Sequence, residues 1–123
     1  MKNYKLGEME QRFADLIWEH EPLSSRTLTE LCTEEFDWKR TTTYTMLKRL
    51  CDRGIFQNKN GLVSSLMSKH EFGAVQGEQF LKESFNGSLP QFIAAFTNLK
   101  KLSDKEIMEI QHLINNHKED ESC

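Results

Sequence analysis

The side chains with the clearest chemical capacity in this sequence lie in one window, residues 38–60. Lys39, Arg40, Lys48, Arg49, Arg53 and Lys59 face a single acidic group there, Asp52, for a net charge of +5. Residues 1–37 hold four basic and nine acidic groups, and residues 61–123 hold six and nine. The formal net charge of −3 therefore conceals a strongly positive block. Such a block in an acidic chain is an electrostatic footprint for a polyanion. On charge alone, a solvated basic helix face is the plain alternative. The same window carries the hydroxyls of Thr41, Thr42, Tyr44 and Thr45. Threonine can donate to or accept from base edges, and its methyl can pack on a thymine methyl. Neighbouring Lys and Arg can neutralise phosphates. The chemistry on offer is recognition of duplex DNA.

Catalytic chemistry has no comparable support. No Gly-rich phosphate loop, nucleophile elbow or metalloprotease motif is present, so no enzyme is expected. His20, His70, His112 and His117 are scattered. His112 and His117 sit about 140° apart around a helix and share no face for one metal. A site combining His117 with Cys123 would need the tail to fold back. The expectation is no metal and no cofactor.

These residues need elements to position them. Met9, Phe13, Leu16 and Ile17 recur at helical spacing between Glu8 and His20. Gly7 stands at the N-cap with Glu10 three residues on, and Pro22 ends the helix. Ser24 can cap a second helix, with Leu23 and Leu28 placed as a hydrophobic staple. Leu28, Leu31 and Cys32 form its buried stripe, Cys32 as a small core residue. A third helix spans roughly Arg40 to Arg53, with Gly54 where a left-handed residue is wanted. Thr43, Leu47, Leu50 and Cys51 share one side of it. Thr41, Thr42, Thr45, Lys48, Arg49 and Asp52 share the other, with Tyr44 at the margin. Tyr44 can instead be a packing aromatic, and Arg53 a C-terminal cap favoured by the helix dipole.

Asn60-Gly61 between Ile55–Lys59 and Leu62–Met67 is a strong two-residue hairpin signal. The remainder reads as helical: about Glu71 to Phe85, a short helix capped by Ser88, and a last one opened by a capping box at Ser103 and Glu106. Lys118 to Cys123 is polar and expected to fray. Trp18 and Trp38 are expected at helix junctions.

Three helices and a hairpin, with the basic excess on the third helix and wing, define a mainly α winged helix-turn-helix with a short β-hairpin wing. The expected division is a winged-helix DNA-binding domain over 1–69 and a helical dimerisation domain over 70–123. The expected DNA contacts are Arg40, Thr41, Thr42, Tyr44, Thr45, Lys48, Arg49, Lys59 and Asn60. The C-terminal helices are too short and amphipathic to stand alone. Phe92, Ile93, Phe96, Ile107, Ile110, Leu113 and Ile114 are the expected dimerisation residues, buried against a second copy. Packing back on the N-terminal domain is the alternative.

At 123 residues and 37% hydrophobic, the chain fits a small domain with a helical appendage and a core partly shared with a partner. No run approaches the roughly 20 apolar residues of a membrane span. Met1-Lys2-Asn3-Tyr4-Lys5 has no apolar run behind it, so no secretory signal is expected. Cys32, Cys51 and Cys123 read as reduced thiols, and a cytoplasmic location is expected.

Several stretches carry a family resemblance. Leu6-Gly7-Glu8-Met9-Glu10 through Leu16-Ile17-Trp18 is similar to the first helix of the penicillinase-repressor and methicillin-resistance-repressor family (BlaI/MecI, with CopY-like copper-transport repressors). Trp38, then Thr41 to Leu50, and the ending Arg53-Gly54 resemble that family's recognition helix and its Arg-Leu-x-x-x-Gly close. Phe85-Asn86-Gly87-Ser88-Leu89 and Leu102-Ser103 with Glu106-Ile107 resemble its dimerisation region. The resemblance implies a homodimeric winged-helix repressor that binds a palindromic operator upstream of resistance genes. It also implies a regulatory protease acting near Ala95-Phe96, where the family's Asn-Phe bond keeps only its Phe. Copper-responsive relatives carry Cys-x-Cys pairs near the C-terminus; here Cys123 stands alone. After the second wing strand, Leu66 and Met67 replace the family's aromatics. A protein–protein winged-helix module and a metal-responsive regulator are the alternative functions.

Overall fold

The computed structural model describes residues 4–122. In order these form α1 (Glu8–His20), β1 (Leu23–Ser24), α2 (Ser25–Phe36), α3 (Arg40–Asp52), β2 (Phe56–Lys59), β3 (Leu62–Ser65), α4 (Lys69–Phe85), α5 (Leu89–Leu99) and α6 (Asp104–Ser122). This is the expected mainly α winged helix-turn-helix with a hairpin wing.

Local chemistry explains most boundaries. Gly7 has no side chain to cap α1, but the Glu10 carboxylate accepts the Gly7 N–H at 3.1 Å. The Ser24 hydroxyl accepts the Thr27 N–H at 3.0 Å and opens α2. Asp37 ends α2 in the left-handed region at φ 56°, a conformation that Asp tolerates better than most residues. The threonine-rich α3 has no side-chain cap on Lys39, and burial of Thr43, Leu47 and Leu50 holds it in place. Between β2 and β3, Asn60 (φ 53°) and Gly61 (φ 87°) make the paired positive-φ turn that the sequence implied.

The sheet has one strand more than expected. Leu23 and Ser24, read as staple and cap, also form β1, which pairs antiparallel with β3 in the order β1-β3-β2. Leu23 lies opposite Val63, and Ser24 opposite Leu62. The N–H of Ser25 then donates to the Gly61 carbonyl at 2.7 Å, which ties the wing tip to the start of α2.

The chain divides into two compact units, the first reaching to Phe80 and the second beginning at Leu81. Phe13, Ile17, Leu28, Leu50, Ile55, Phe56, Val63 and Phe72 are the large apolar side chains of the first unit's core. The two tryptophans sit at element junctions. Trp18 donates its indole N–H to the Met67 carbonyl at 3.0 Å and contacts the Phe56 and Phe72 rings. Trp38 lies between Phe13 and Phe36. The unit continues past the boundary drawn at residue 69 because α4 is part of its packing. Phe72 is buried, Gln76 donates to the Tyr4 carbonyl at 3.0 Å, and the Tyr4 N–H donates to Gln79 at 3.2 Å.

In the second unit, Asn86 (φ 52°) and Gly87 (φ 79°) break the chain after α4. The Ser88 hydroxyl accepts the Gln91 N–H at 3.2 Å. Ser103 and Glu106 make the reciprocal capping box: the Ser103 hydroxyl accepts the Glu106 N–H at 3.1 Å, and the Glu106 carboxylate accepts the Ser103 N–H at 3.3 Å. α6 runs to Ser122, and Cys123, the end of the tail expected to fray, lies outside the described residues. None of the described side chains from Leu81 onward is buried.

Candidate nucleic-acid interface

One side of α3 is exposed and polar. Thr41, Thr42, Thr45, Lys48, Arg49 and Asp52 are all exposed there, while Thr43, Leu47 and Leu50 face the core. Arg40 is exposed at the first position of the helix. The helical period thus separates hydroxyls and cations from the core, as the sequence required.

The side chains differ in what they still offer. The Thr45 hydroxyl donates to the Thr41 carbonyl at 2.9 Å, so its proton is engaged and it presents an acceptor oxygen and a methyl. Tyr44 is half-buried and reaches back to α2, donating to the Ser25 hydroxyl at a long 3.4 Å. The Arg40 guanidinium lies 5.7 Å from the centre of its ring. The contact with Ser25, and then Arg40, hold the Tyr44 hydroxyl below the ordinary tyrosine pKa. Tyr44 therefore packs between α3 and Ser25 of α2 while part of its ring remains exposed.

The basic groups also separate. Among the described residues, no ion pair engages Lys39, Arg40, Lys48 or Lys59. Arg53 is folded down, 3.6 Å from the Glu10 carboxylate and donating to the Lys5 carbonyl at 3.3 Å. Arg49 is half-exposed, 4.0 Å from the same carboxylate. On the wing, Lys59 and Asn60 are exposed. The register puts Lys59 opposite Leu62 and Gln57 opposite Ser64, and Gln57 donates to the Ser64 hydroxyl at 3.1 Å.

Three residues of this surface escaped the sequence reading. Ser25 touches both the wing tip and Tyr44. Glu10 meets the arginines of α3. Leu62 stands exposed beside Lys59. Only Leu62 had a local signal: strict alternation about Val63 sends it outward.

Cys32 and Cys51 are not part of this exposed surface. Cys32 is buried, and burial pushes its thiol pKa up from 9.0 to about 11. Burial raises the Cys51 thiol as well. Among the described residues, no group of three His, Cys, Asp or Glu side chains converges as a metal site would require. The pairing of His117 with Cys123 lies outside the described residues.

Helix-turn-helix, a third helix with an exposed polar face and a hairpin wing tied to the start of α2 define a winged-helix protein. The chain belongs to the penicillinase repressor family, whose family model matches residues 6–116. It is 25% identical over 118 residues to the penicillinase repressor of Bacillus licheniformis, an alignment covering 93% of this chain and 92% of that one. It is 24% identical to the methicillin resistance regulatory protein MecI of Staphylococcus aureus (strain Mu50 / ATCC 700699), over 93% of this chain and 96% of the relative. The MecI of Mammaliicoccus sciuri is 23% identical over the same shares. Membership places the chain among transcriptional repressors rather than enzymes. Among the described residues, no helix is long and apolar enough to cross a membrane.

Proposed function

We propose that this chain is a homodimeric repressor that binds a palindromic DNA operator through α3 and the wing. The observation that carries the reading is the exposed face of α3, where Thr41, Thr42, Thr45 and Lys48 stand together beside Arg40, which has no ion pair among the described residues. A major groove admits one helix, and side chains near that helix's N-terminus reach base edges. Thr41, Thr42, Thr45 and the edge of Tyr44 read bases. Arg40, Lys48 and the wing's Lys59 and Asn60 hold the backbone, with Arg49 placed beside them to join. A protein–protein module would present an apolar face on α3 in place of this one.

The second unit supplies the other half of the reading. Leu89, Ile93, Phe96, Ile107, Ile110, Leu113 and Ile114 are all exposed large apolar groups, and Phe92 is only half-covered. Such surface calls for a partner, and a two-fold copy is the economical one. Two copies would present two α3 helices to two half-sites, which suits a palindrome. The relatives are regulators of penicillinase and of methicillin resistance by name, and a resistance gene is the proposed target here. A regulatory protease near Ala95-Phe96 is the proposed inducing partner, and the cytoplasm the proposed location.

The test is a mobility-shift titration of the full chain with DNA from upstream of its own gene, over a series of salt concentrations. Sequence-selective binding that weakens steeply with salt supports the reading. Absent or salt-independent binding overturns it.

A further inference from the structure

Glu10 lies on α1, outside every residue assigned to DNA, yet it meets the arginines of α3. Its Oε1 accepts the Gly7 N–H at 3.1 Å. Its Oε2 is shielded from solvent and lies 3.6 Å from Nη1 of Arg53 and 4.0 Å from Nη1 of Arg49. The two arginines are not equivalent. Arg53 is largely covered, with a second acceptor in the Lys5 carbonyl. Arg49 is 52% exposed and sits at the outer limit of ion-pair contact with Glu10. A guanidinium so placed can exchange one anionic partner for another, because charge-assisted pairs to carboxylate and phosphate use the same donor geometry.

We propose that Glu10 is an intramolecular competitor for DNA phosphate: it holds Arg49 back from the backbone and so sets the affinity of α3 for duplex DNA. The inference rests on the DNA-binding reading above and adds a residue that tunes it. Any phosphate that Arg49 engages must first displace a carboxylate fixed in place by its own bond to Gly7. Arg53 stays bound to Glu10 and helps keep that carboxylate in position. Phosphate contacts carry no sequence information, so the restraint acts on all duplexes alike. Lys39, Arg40, Lys48 and Lys59 meet no such competitor among the described residues.

Glu10→Gln tests this cleanly, because the amide oxygen can still accept the Gly7 N–H while the charge is gone. The full chain is titrated with a fluorescent duplex from upstream of its gene and with a mixed-sequence duplex, across a salt series. The expected result is a several-fold gain in affinity for both duplexes. The dependence of log affinity on log salt should steepen by about 0.9 per protomer for the contact released. The gain should vanish in Glu10→Gln/Arg49→Gln. If Glu10 is only a staple between α1 and α3, the melting temperature falls while affinity does not rise and the salt dependence is unchanged; that result overturns the proposal. Should Glu10→Gln fail to fold, Glu10→Asp withdraws the charge by one methylene and should give a smaller gain of the same sign. No gain there overturns the proposal equally. Absence of salt-dependent duplex binding in the unaltered chain is a separate failure, which removes the DNA-binding reading and this inference with it.

Discussion

At the scale of single residues, the candidate interface divides by what each side chain has left to give. Thr45 has committed its proton to the Thr41 carbonyl and can only accept or offer its methyl. Thr45→Ala should therefore lose discrimination at one base pair, worth about 1–3 kcal/mol, while binding to mixed-sequence DNA holds. Lys59→Ala should weaken every duplex alike and flatten the salt dependence by about 0.9 per protomer. Competition binding against single-base operator variants separates the two, and the reverse pattern would mean their roles are exchanged. A buried thiol gives a second residue-scale test. Burial lifts Cys32 from 9.0 to about 11, so between those values the folded chain keeps a proton that the unfolded chain releases. Its contribution is complete below pH 9 and is lost as pH rises through about 11. The loss amounts to about 2–3 kcal/mol at full titration. Urea denaturation of the native chain and Cys32→Ala, at pH values on either side of that window, should differ in slope; parallel curves would exclude a thiol contribution.

Elements differ in how far their signals reach, and that decided what could be read in the sequence. The Ser24 cap, the Asn60-Gly61 turn and the Ser103–Glu106 box each use groups within three residues, and all stand where the local pattern put them. Gly61 shows the cost of altering such a signal. Its φ of 87° strains any L side chain, so Gly61→Ala should destabilise by about 1–2 kcal/mol, although space for a Cβ exists beside Ser25. Gly77 in α4 meets nothing within 4 Å, and Gly77→Ala should instead stabilise by about 0.4–1 kcal/mol. Thermal unfolding of the two variants should move in opposite directions. Features that depend on distant partners were not legible. β1 is two residues long, too short to show alternation, and exists because Val63 and Leu62 lie opposite. Glu10 could be placed in a cap, but its second oxygen meets Arg53 from another helix. The exposed face of α3 was legible because its period is internal to the helix. Its attachment to Ser25 was not, since that residue faces Tyr44 from α2.

For the whole molecule, the distribution of charge and of burial points to the same division of labour. The cations of residues 38–60 sit in the first unit, which has a core of its own. The second unit has exposed apolar groups and no buried described side chain. A chain cut after Phe80 keeps Phe72 and the Tyr4 contacts, and should fold as a monomer. One cut at residue 69 loses Phe72, at a cost of the order of 3–5 kcal/mol, and should be far less stable. The monomer cut after Phe80 can address one half-site only. Among the described residues, four cations of the 38–60 window, Lys39, Arg40, Lys48 and Lys59, have no ion pair. A dimer engaging all of them should lose affinity with a log–log salt slope of roughly −7, and the truncated monomer with about half that. Sedimentation of both chains, followed by salt titration with the same duplex, checks the two parts separately. A truncated chain that still dimerises would locate the self-association outside the second unit. Equal slopes for dimer and monomer would mean that only one α3 helix touches DNA at a time.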